Sequence, residues 1–517
     1  MKKVLYRGIA IVLAIICMFS LVSCSYKDDS SEFSDGFATT NNGFSKNDEL
    51  VQKLISITPS ERQLSFQELE YYNFIHFGMN TMTNKEWGDG TESPDLFNPT
   101  NLDTDKWAKA LLDSGSKGVI LTAKHHDGFC LWPSAYTEHS IKNSPYKNGQ
   151  GDIVKELSLS CKKYGLKFGI YLSPWDRHEK TYGTKAYDDY YCNQLTELLT
   201  NYGEIFTVWM DGAKGDDAPD FDYDFTRYFD LVRKLQPNAV LTICGPDVRW
   251  IGNETAKARD AEWNVVSNTK NYNENSQTSE DTANLKTISE TDKDLGSREV
   301  LKDFSASQLT WYPAEADVSI RRKTFTEYGG WFYHENEKCK SVKELFKIYL
   351  NTAGKNASLL LNVPPTATGE IDEKTVQRLK EFGDAIKSIK ANPISYTGYI
   401  GNREKGTIEN NEITSLSEDN IDNEYMLKDD EDIIDLKLKE KTRVNYLVIK
   451  ENLIHSQRVE QFNVYYKTSS GTWKKVESGT VIGSQRIVKI DKETTEIRIF
   501  IKQSRSNPYL RNIALFG

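Results

Sequence analysis

The run Phe-Thr-Val-Trp-Met-Asp-Gly at 206–212 reads as a short buried strand that ends on a carboxylate. Apolar residues extend from Ile205 to Met210, too few for a helix and rich in β-branched and aromatic types, before Asp211 and Gly212 stop them. A carboxylate on the last residue of a core strand is held rigidly at the edge of the core, where α/β enzymes place catalytic groups. For any one strand, an Asp that merely starts a turn is the alternative reading. Here the neighbouring strand-like runs end the same way. Residues 72–77 end near His76, 119–123 run out at His125 and His126, 168–172 lead to Trp175 and Asp176, and 239–244 lead to Arg249. Imidazoles both donate and accept hydrogen bonds, so such a set suits vicinal hydroxyl groups.

The elements that must position these residues alternate from Glu61 onward. Helical spacing covers 101–114, with Trp107, Leu111 and Leu112, and Asp152 opens a helix that Gly165 closes. Further helical runs cover 188–201, closed by Gly203, and 225–235, ended by Pro237. Repeated βα units every ~30–50 residues, with functional groups after the strands and only Gly and Lys in the helix-to-strand turns, predict an α/β fold with a (β/α)8 TIM-like barrel. A doubly wound sheet is the alternative, but the chain has no GxGxxG or P-loop to support it. After a closing helix at 379–390 the texture changes to short alternating runs at 444–449, 462–467, 486–490 and 495–501, separated by Ser-, Gly- and Asn-rich turns. That pattern predicts a C-terminal antiparallel β-sandwich.

The 517 residues suffice for one large domain and a smaller one. A net charge of −10 with no basic block excludes nucleic acid as an expected partner. Ten Trp and 27 Tyr suit stacking on the C–H faces of sugars, although core packing alone could use them. The N-terminus reads as a targeting segment: Lys2, Lys3 and Arg7, an apolar stretch at 8–22 too short to span a bilayer, then Leu-Val-Ser-Cys at 21–24. The last four residues resemble a bacterial lipobox, which makes Cys24 the lipidated first residue of the mature chain; a cleaved secretory peptide is the alternative. The expected organisation is therefore a lipoprotein signal peptide at 1–23, a polar tether at 24–48, a catalytic barrel at 49–391 and a β-sandwich at 392–517. Lys-Asp-Asp at 27–29 is similar to the acidic export signal of Bacteroidetes lipoproteins and implies an outer-membrane or cell-surface location, with the periplasmic face open. Apart from Cys17 and Cys24, the cysteines at 130, 161, 192, 244 and 339 show no CxxC and no zinc spacing, and read as buried free thiols.

Ten stretches together resemble glycoside hydrolase family 29, the α-L-fucosidases. They are YNFIHFGMN at 72–80, EWG at 86–88, KHHDGFCLW at 124–132, GIYLSPWDRH at 169–178, WMDGA at 209–213, DVRWIGNE at 247–254, DLGSREV at 294–300, WYPAEADVSIR at 311–321, GWFYH at 330–334 and LLLNVPP at 359–365. Within the family, GIYLSPWDRH and YPAEADVSIR resemble the branch acting on α-1,3/1,4 linkages, as in Lewis-type glycans. A polar insertion at 264–292 and an interruption at 323–328 depart from the pattern on the side expected to meet the aglycone. A retaining glycosidase needs two carboxyl groups about 5–5.5 Å apart, one as nucleophile and one as acid/base. The resemblance, with its strand-end position, makes Asp211 the nucleophile. It makes Glu254, in the loop after the next strand, the acid/base, with Glu262 as the fallback and Trp250 as an apolar wall that would raise the acid's pKa. It further implies that His76, Glu86, Trp87, His125, His126, Tyr171 and Arg249 bind the sugar, and that Trp175, Asp176 and His178 contact the aglycone.

No cofactor and no metal is expected, since adjacent His125 and His126 on a strand would point to opposite faces. The expected partners are fucosylated oligosaccharides or glycoproteins, and the membrane through the N-terminal lipid. The stretch 443–517 resembles a discoidin-like jelly roll, which could bind sugar or only prop the barrel. A catalytically inactive fucose-binding lipoprotein and a fucosidase of broader linkage specificity are the alternative functions.

Overall fold

The structure, a computed structural model, describes residues 48–215, 218–219, 221–267, 293–322 and 330–517. The leader, Cys24 and nearly all of the tether lie outside the described residues, as do 268–292 of the first insertion and the whole of 323–328.

Eight parallel strands form the barrel: β1 Tyr71–Ile75, β2 Gly118–Lys124, β3 Lys167–Leu172, β4 Thr207–Met210, β5 Val240–Ile243, β6 Arg249–Trp250, β7 Ala314–Ser319 and β8 Ala357–Asn362. Their spatial order is β5-β4-β3-β2-β1-β8-β7-β6, and a parallel bridge between Thr242 and Val248 nearly completes the ring. Nearly every strand residue is buried, as expected for a parallel sheet covered on both faces. Outside it run the helices Thr104–Asp113, Ile153–Tyr164, Lys185–Asn201, Phe225–Leu235, Val342–Asn351 and Glu373–Ile389. Their ends follow local chemistry. Asp152 caps the Lys155 N–H, Gly165 takes φ 72° at the C-terminus, and Ser341 forms a reciprocal capping box with Glu344.

Among the described residues, the βα alternation breaks between β5 and β6. β6 follows β5 without an intervening helix, so the loop carrying Glu254 follows the sixth strand rather than the fifth. Ile243, at φ 66°, starts the tight connection. Asp247 knots it: its carboxylate accepts the Leu241 N–H at 2.7 Å and pairs with Arg62 and Arg233. The ring thus closes through a buried carboxylate instead of a continuous ladder.

Residues 393–516 form a second unit of antiparallel strands around its own hydrophobic core, including Ile434, Leu436, Leu447, Phe462, Ile499 and Leu515. The two short runs expected at 486–490 and 495–501 are one strand, Arg486–Ser504, and 444–449 lies within Ile433–Glu451. The polar residues between the runs do not turn the chain. Asp491, at φ 51°, sits at an irregularity while Thr442, Arg443 and Val444 keep pairing with Thr494, Glu493 and Lys492.

Asn356, at φ 65°, ties the two units. Its Nδ2 donates to the Glu262 carbonyl at 2.6 Å, and its Oδ1 accepts the Ser484 N–H at 2.8 Å. Lys450 reaches Glu70 at 3.1 Å and Arg511 reaches Glu68 at 2.8 Å across the same junction. Asn356→Ala leaves buried partners unmade at about 1–3 kcal/mol each. We expect a lower Tm, with scanning calorimetry as the check; an unchanged Tm would show that the junction does not depend on this side chain.

Candidate active site

The C-terminal mouth of the barrel holds a pocket lined by Phe74, His76, Glu86, Trp87, His125, His126, Trp209, Asp211, Ile243, Trp250, Glu254, Asp317 and Trp331, among others. Aromatic rings and titratable groups share the lining, the composition expected of a small-molecule site.

Asp211 follows β4 directly and its position is fixed twice. The Ala213 N–H donates to Oδ1 at 2.7 Å, and the Tyr171 hydroxyl donates to Oδ2 at 3.0 Å. His126 Nε2 stands 3.7 Å from the same Oδ2. Tyr171 is buried and stacks on Trp209, with centroids 5.2 Å apart. It therefore stands behind the pocket wall, holding a carboxylate, rather than on the lining.

The hydrogen-bond partners assign one tautomer to His76 and His126 and the other to His125. Asn362 donates from Nδ2 to the Trp331 carbonyl at 2.7 Å, so its Oδ1 accepts from His76 Nδ1 at 2.9 Å. Asn80 donates to the Glu86 carbonyl and accepts the Gly88 N–H, so its Nδ2 donates to His125 Nδ1 at 3.0 Å. The Ser173 hydroxyl donates to the Trp175 carbonyl at 2.6 Å and so accepts from His126 Nδ1 at 2.7 Å. His76 thus offers an acceptor at Nε2 and His125 a donor. Burial holds both neutral, His76 at about 4 and His125 well below the ordinary imidazole value. His125 and His126 lie just past β2, where strand alternation has ended, and their centroids are only 4.0 Å apart. The expectation that they point to opposite faces is incorrect, and it carries no argument about metals. Among the described residues no group of three or more His, Cys, Asp or Glu is placed to hold an ion.

Glu86 faces the pocket and clamps the opposite rim, accepting from His334 Nε2 at 2.7 Å and from the backbone of Gly330 and Trp331. Trp87, partly exposed, packs edge-on against His126 and Trp175. Glu254 lines the pocket from a loop ordered by Asn253, whose Oδ1 accepts the N–H groups of Thr255 and Lys257.

Several expected residues do not reach the pocket. Arg249 is sealed in an ion pair with Glu262 at 2.7 Å and also donates to the carbonyls of Tyr312 and Trp263. Neither can meet a sugar or act as its acid, because both are completely buried and engaged. Asp176 is equally buried, 2.7 Å from Lys124 Nζ, and Trp175 lies beneath Trp87. His178 reaches the surface but stacks on His139 and bonds the Gly90 carbonyl, away from the pocket lining. Conversely, the sequence reading assigned no role to Asp317 or Trp331. Alternate acids at 315 and 317 on one strand were the available signal, since residues two apart share a face.

A parallel barrel with carboxylates, imidazoles and indoles converging on its C-terminal mouth defines a barrel glycoside hydrolase. The chain belongs to the alpha-L-fucosidase family, whose model matches residues 47–389. It is 38% identical to Alpha-L-fucosidase 1 of Arabidopsis thaliana over 467 residues, covering 89% of this chain and 87% of the relative. It superposes with a TM-score of 0.78 on a Bacteroides ovatus structure assigned to the alpha-L-fucosidases, at 39% identity over 93% of this chain and 77% of that one. A Ruminococcus gnavus GH29 fucosidase in complex with fucose gives 0.76 at 31% identity, over 89% and 95% of the two chains. The five cysteines of the described residues are free; Cys339 is only partly buried, and the other four are buried.

Burial opposes the charge of Asp176, but Lys124 and the N–H groups of His178 and Glu179 outweigh it, and its carboxyl falls below the ordinary range. Its stabilisation is therefore complete above the unfolded carboxylate pKa and lost as pH falls through the lower folded value. Asp176→Asn leaves Lys124 buried without its partner and is expected to cost about 3–5 kcal/mol. Urea unfolding at neutral pH and near pH 3 checks this: the difference between variant and parent should shrink at the acid end.

Proposed function

We propose that this α-L-fucosidase is a retaining exo-enzyme that removes α-1,3/1,4-linked fucose from Lewis-type glycans by double displacement. The observation that carries the mechanism is that Asp211 and Glu254 line one pocket from different strands, with Asp211 fixed by two donors. Asp211 attacks the anomeric carbon while Glu254 gives its proton to the leaving oxygen. Glu254 then takes a proton from water, which releases fucose from the enzyme ester. Tyr171 and the Ala213 N–H keep the nucleophile in one orientation, so little reorganisation is left for the reaction itself.

Fucose as the sugar is supported by the family and by the Ruminococcus gnavus relative solved with it. Neutral His76, as an acceptor, and His125, as a donor, match hydroxyls that must be oriented individually. Phe74, Trp209, Ile243 and Trp331 offer an apolar surface to the C6 methyl group of a 6-deoxy sugar. The linkage preference rests on the motifs at 169–178 and 311–321. Attachment to the outer membrane or cell surface through lipidated Cys24 rests on the lipobox-like segment.

Fucose release from Lewis a and Lewis x trisaccharides, run beside 2′-fucosyllactose, tests the reading. Release from the branched glycans alone is expected; equal release from 2′-fucosyllactose would remove the linkage preference. Asp211→Asn is expected to lower turnover by roughly 10³-fold or more while fucose binding persists. Binding without release by the parent protein would identify a lectin instead. Cys24→Ala should move the expressed protein from the detergent-extracted membrane fraction to the soluble one.

A further inference from the structure

Four carboxyl groups line the pocket: Asp211 and Glu254 carry out the double displacement, Glu86 is tied to the rim by His334, and Asp317 is left without a task. Asp317, on β7, lines the pocket beside Glu254 and is 3% exposed. An antiparallel backbone bridge joins Thr255 to Val318. Glu254 and Asp317 each immediately precede one of the two bridged residues, and both line the pocket. The Trp250 indole donates to Asp317 Oδ1 at 2.7 Å, which fixes that carboxyl and leaves Oδ2 toward its surroundings.

We propose that Asp317 is the positioning residue of the general acid, sharing one proton with Glu254. The inference rests on Glu254 being that acid. Whichever of the two carboxyls holds the proton, the charge of the other opposes its loss to bulk water. When Glu254 passes the proton to the leaving oxygen, both carboxyls are briefly anionic, and the repulsion drives Glu254 to take a proton from the attacking water. No proton is gained or lost over the cycle beyond that of the water consumed.

Burial first, and then the charge of Glu254 ahead of that of Glu315, push Asp317 well above the ordinary carboxylate range; the Trp250 hydrogen bond opposes this. The other charged or titratable groups facing the pair are occupied. Asp211, after β4, is bonded to Tyr171. Glu86, after β1, is paired with His334, and Glu315, one pleat below on β7, is bonded to Tyr72 and Trp209. His76, after β1, bonds Asn362; His125 and His126, after β2, bond Asn80 and Ser173.

The test is the pH profile of kcat/KM on an aryl α-L-fucoside for the full protein, Asp317→Asn and Trp250→Phe. Asparagine keeps an oxygen for the Trp250 donor but has no negative charge. Its alkaline limb should therefore move to lower pH by about one unit or more, the size of a coupling strong enough to define a pair. Phenylalanine removes the donor that favours ionised Asp317, so its alkaline limb should move to higher pH. Opposite shifts support the shared proton, since a purely structural loss would lower activity without moving the limb in two directions. An active parent whose alkaline limb stays in place in both variants overturns the proposal and leaves the function standing. Loss of activity in Asp317→Asn with Glu254→Gln unaffected would make Asp317 itself the acid and overturn it too. A parent that releases no fucose overturns the function on which it rests.

Discussion

Glu315 is the buried group on which the arrangement of the mouth depends. It sits inside the barrel, fully enclosed, and accepts from the Tyr72 hydroxyl and from the Trp209 indole at 2.9 Å. Burial raises it to about 7, so the two donors are what make a carboxyl tolerable there. The bond to Trp209 fixes the plane of that indole. Trp209 stacks on Tyr171, and Tyr171 donates to Asp211. A polar group in the floor thus sets the orientation of the carboxylate at the rim through two aromatic rings.

The same requirement, that nothing polar be buried unpaired, decides the closure of the ring and its bracing. Asp247 holds the β5–β6 connection through a backbone N–H and two arginines. Arg249 and Glu262 form a sealed pair under the β6 loop, and Asn264 and Asn356 carry the network on to Gln457 and Ser484 of the C-terminal unit. The β-rich unit therefore braces the barrel where β1 and β8 begin, the end opposite the mouth, and holds the segment at 262–264 to which the chain returns after the Glu254 loop. Ion pairs of this kind contribute little net stability over an apolar packing, but losing one partner is costly.

Much of the site was legible before the fold was known. His76, His125, His126, Asp211 and Glu254 lie within motifs, and all five line the pocket. The errors have a common origin. The resemblance gives Arg249 and Asp176 their roles and a shared loop makes Glu262 the fallback acid, but each is a buried member of an ion pair whose partner is not evident from local pattern. Strand alternation was carried one residue too far at His125 and His126, because β2 ends at Lys124. Asp317 was passed over because nothing in a six-residue strand says which neighbour its inward face will meet.

The sequence by itself determined the parallel βα rhythm, the antiparallel texture after Asn392, the helix caps and the chemical types present at the mouth. These follow from period, capping and turn preferences that act over a few residues. The tertiary structure alone decided which of those groups converge: that Glu254 follows a sixth strand, that Asp317 stands beside it, that Tyr171 serves Asp211, and that Arg249 and Asp176 are sealed away. Such pairings join residues tens to hundreds of positions apart. They depend on ring closure and on the partner each charge must find once water is excluded, and neither is encoded in a local stretch of chain.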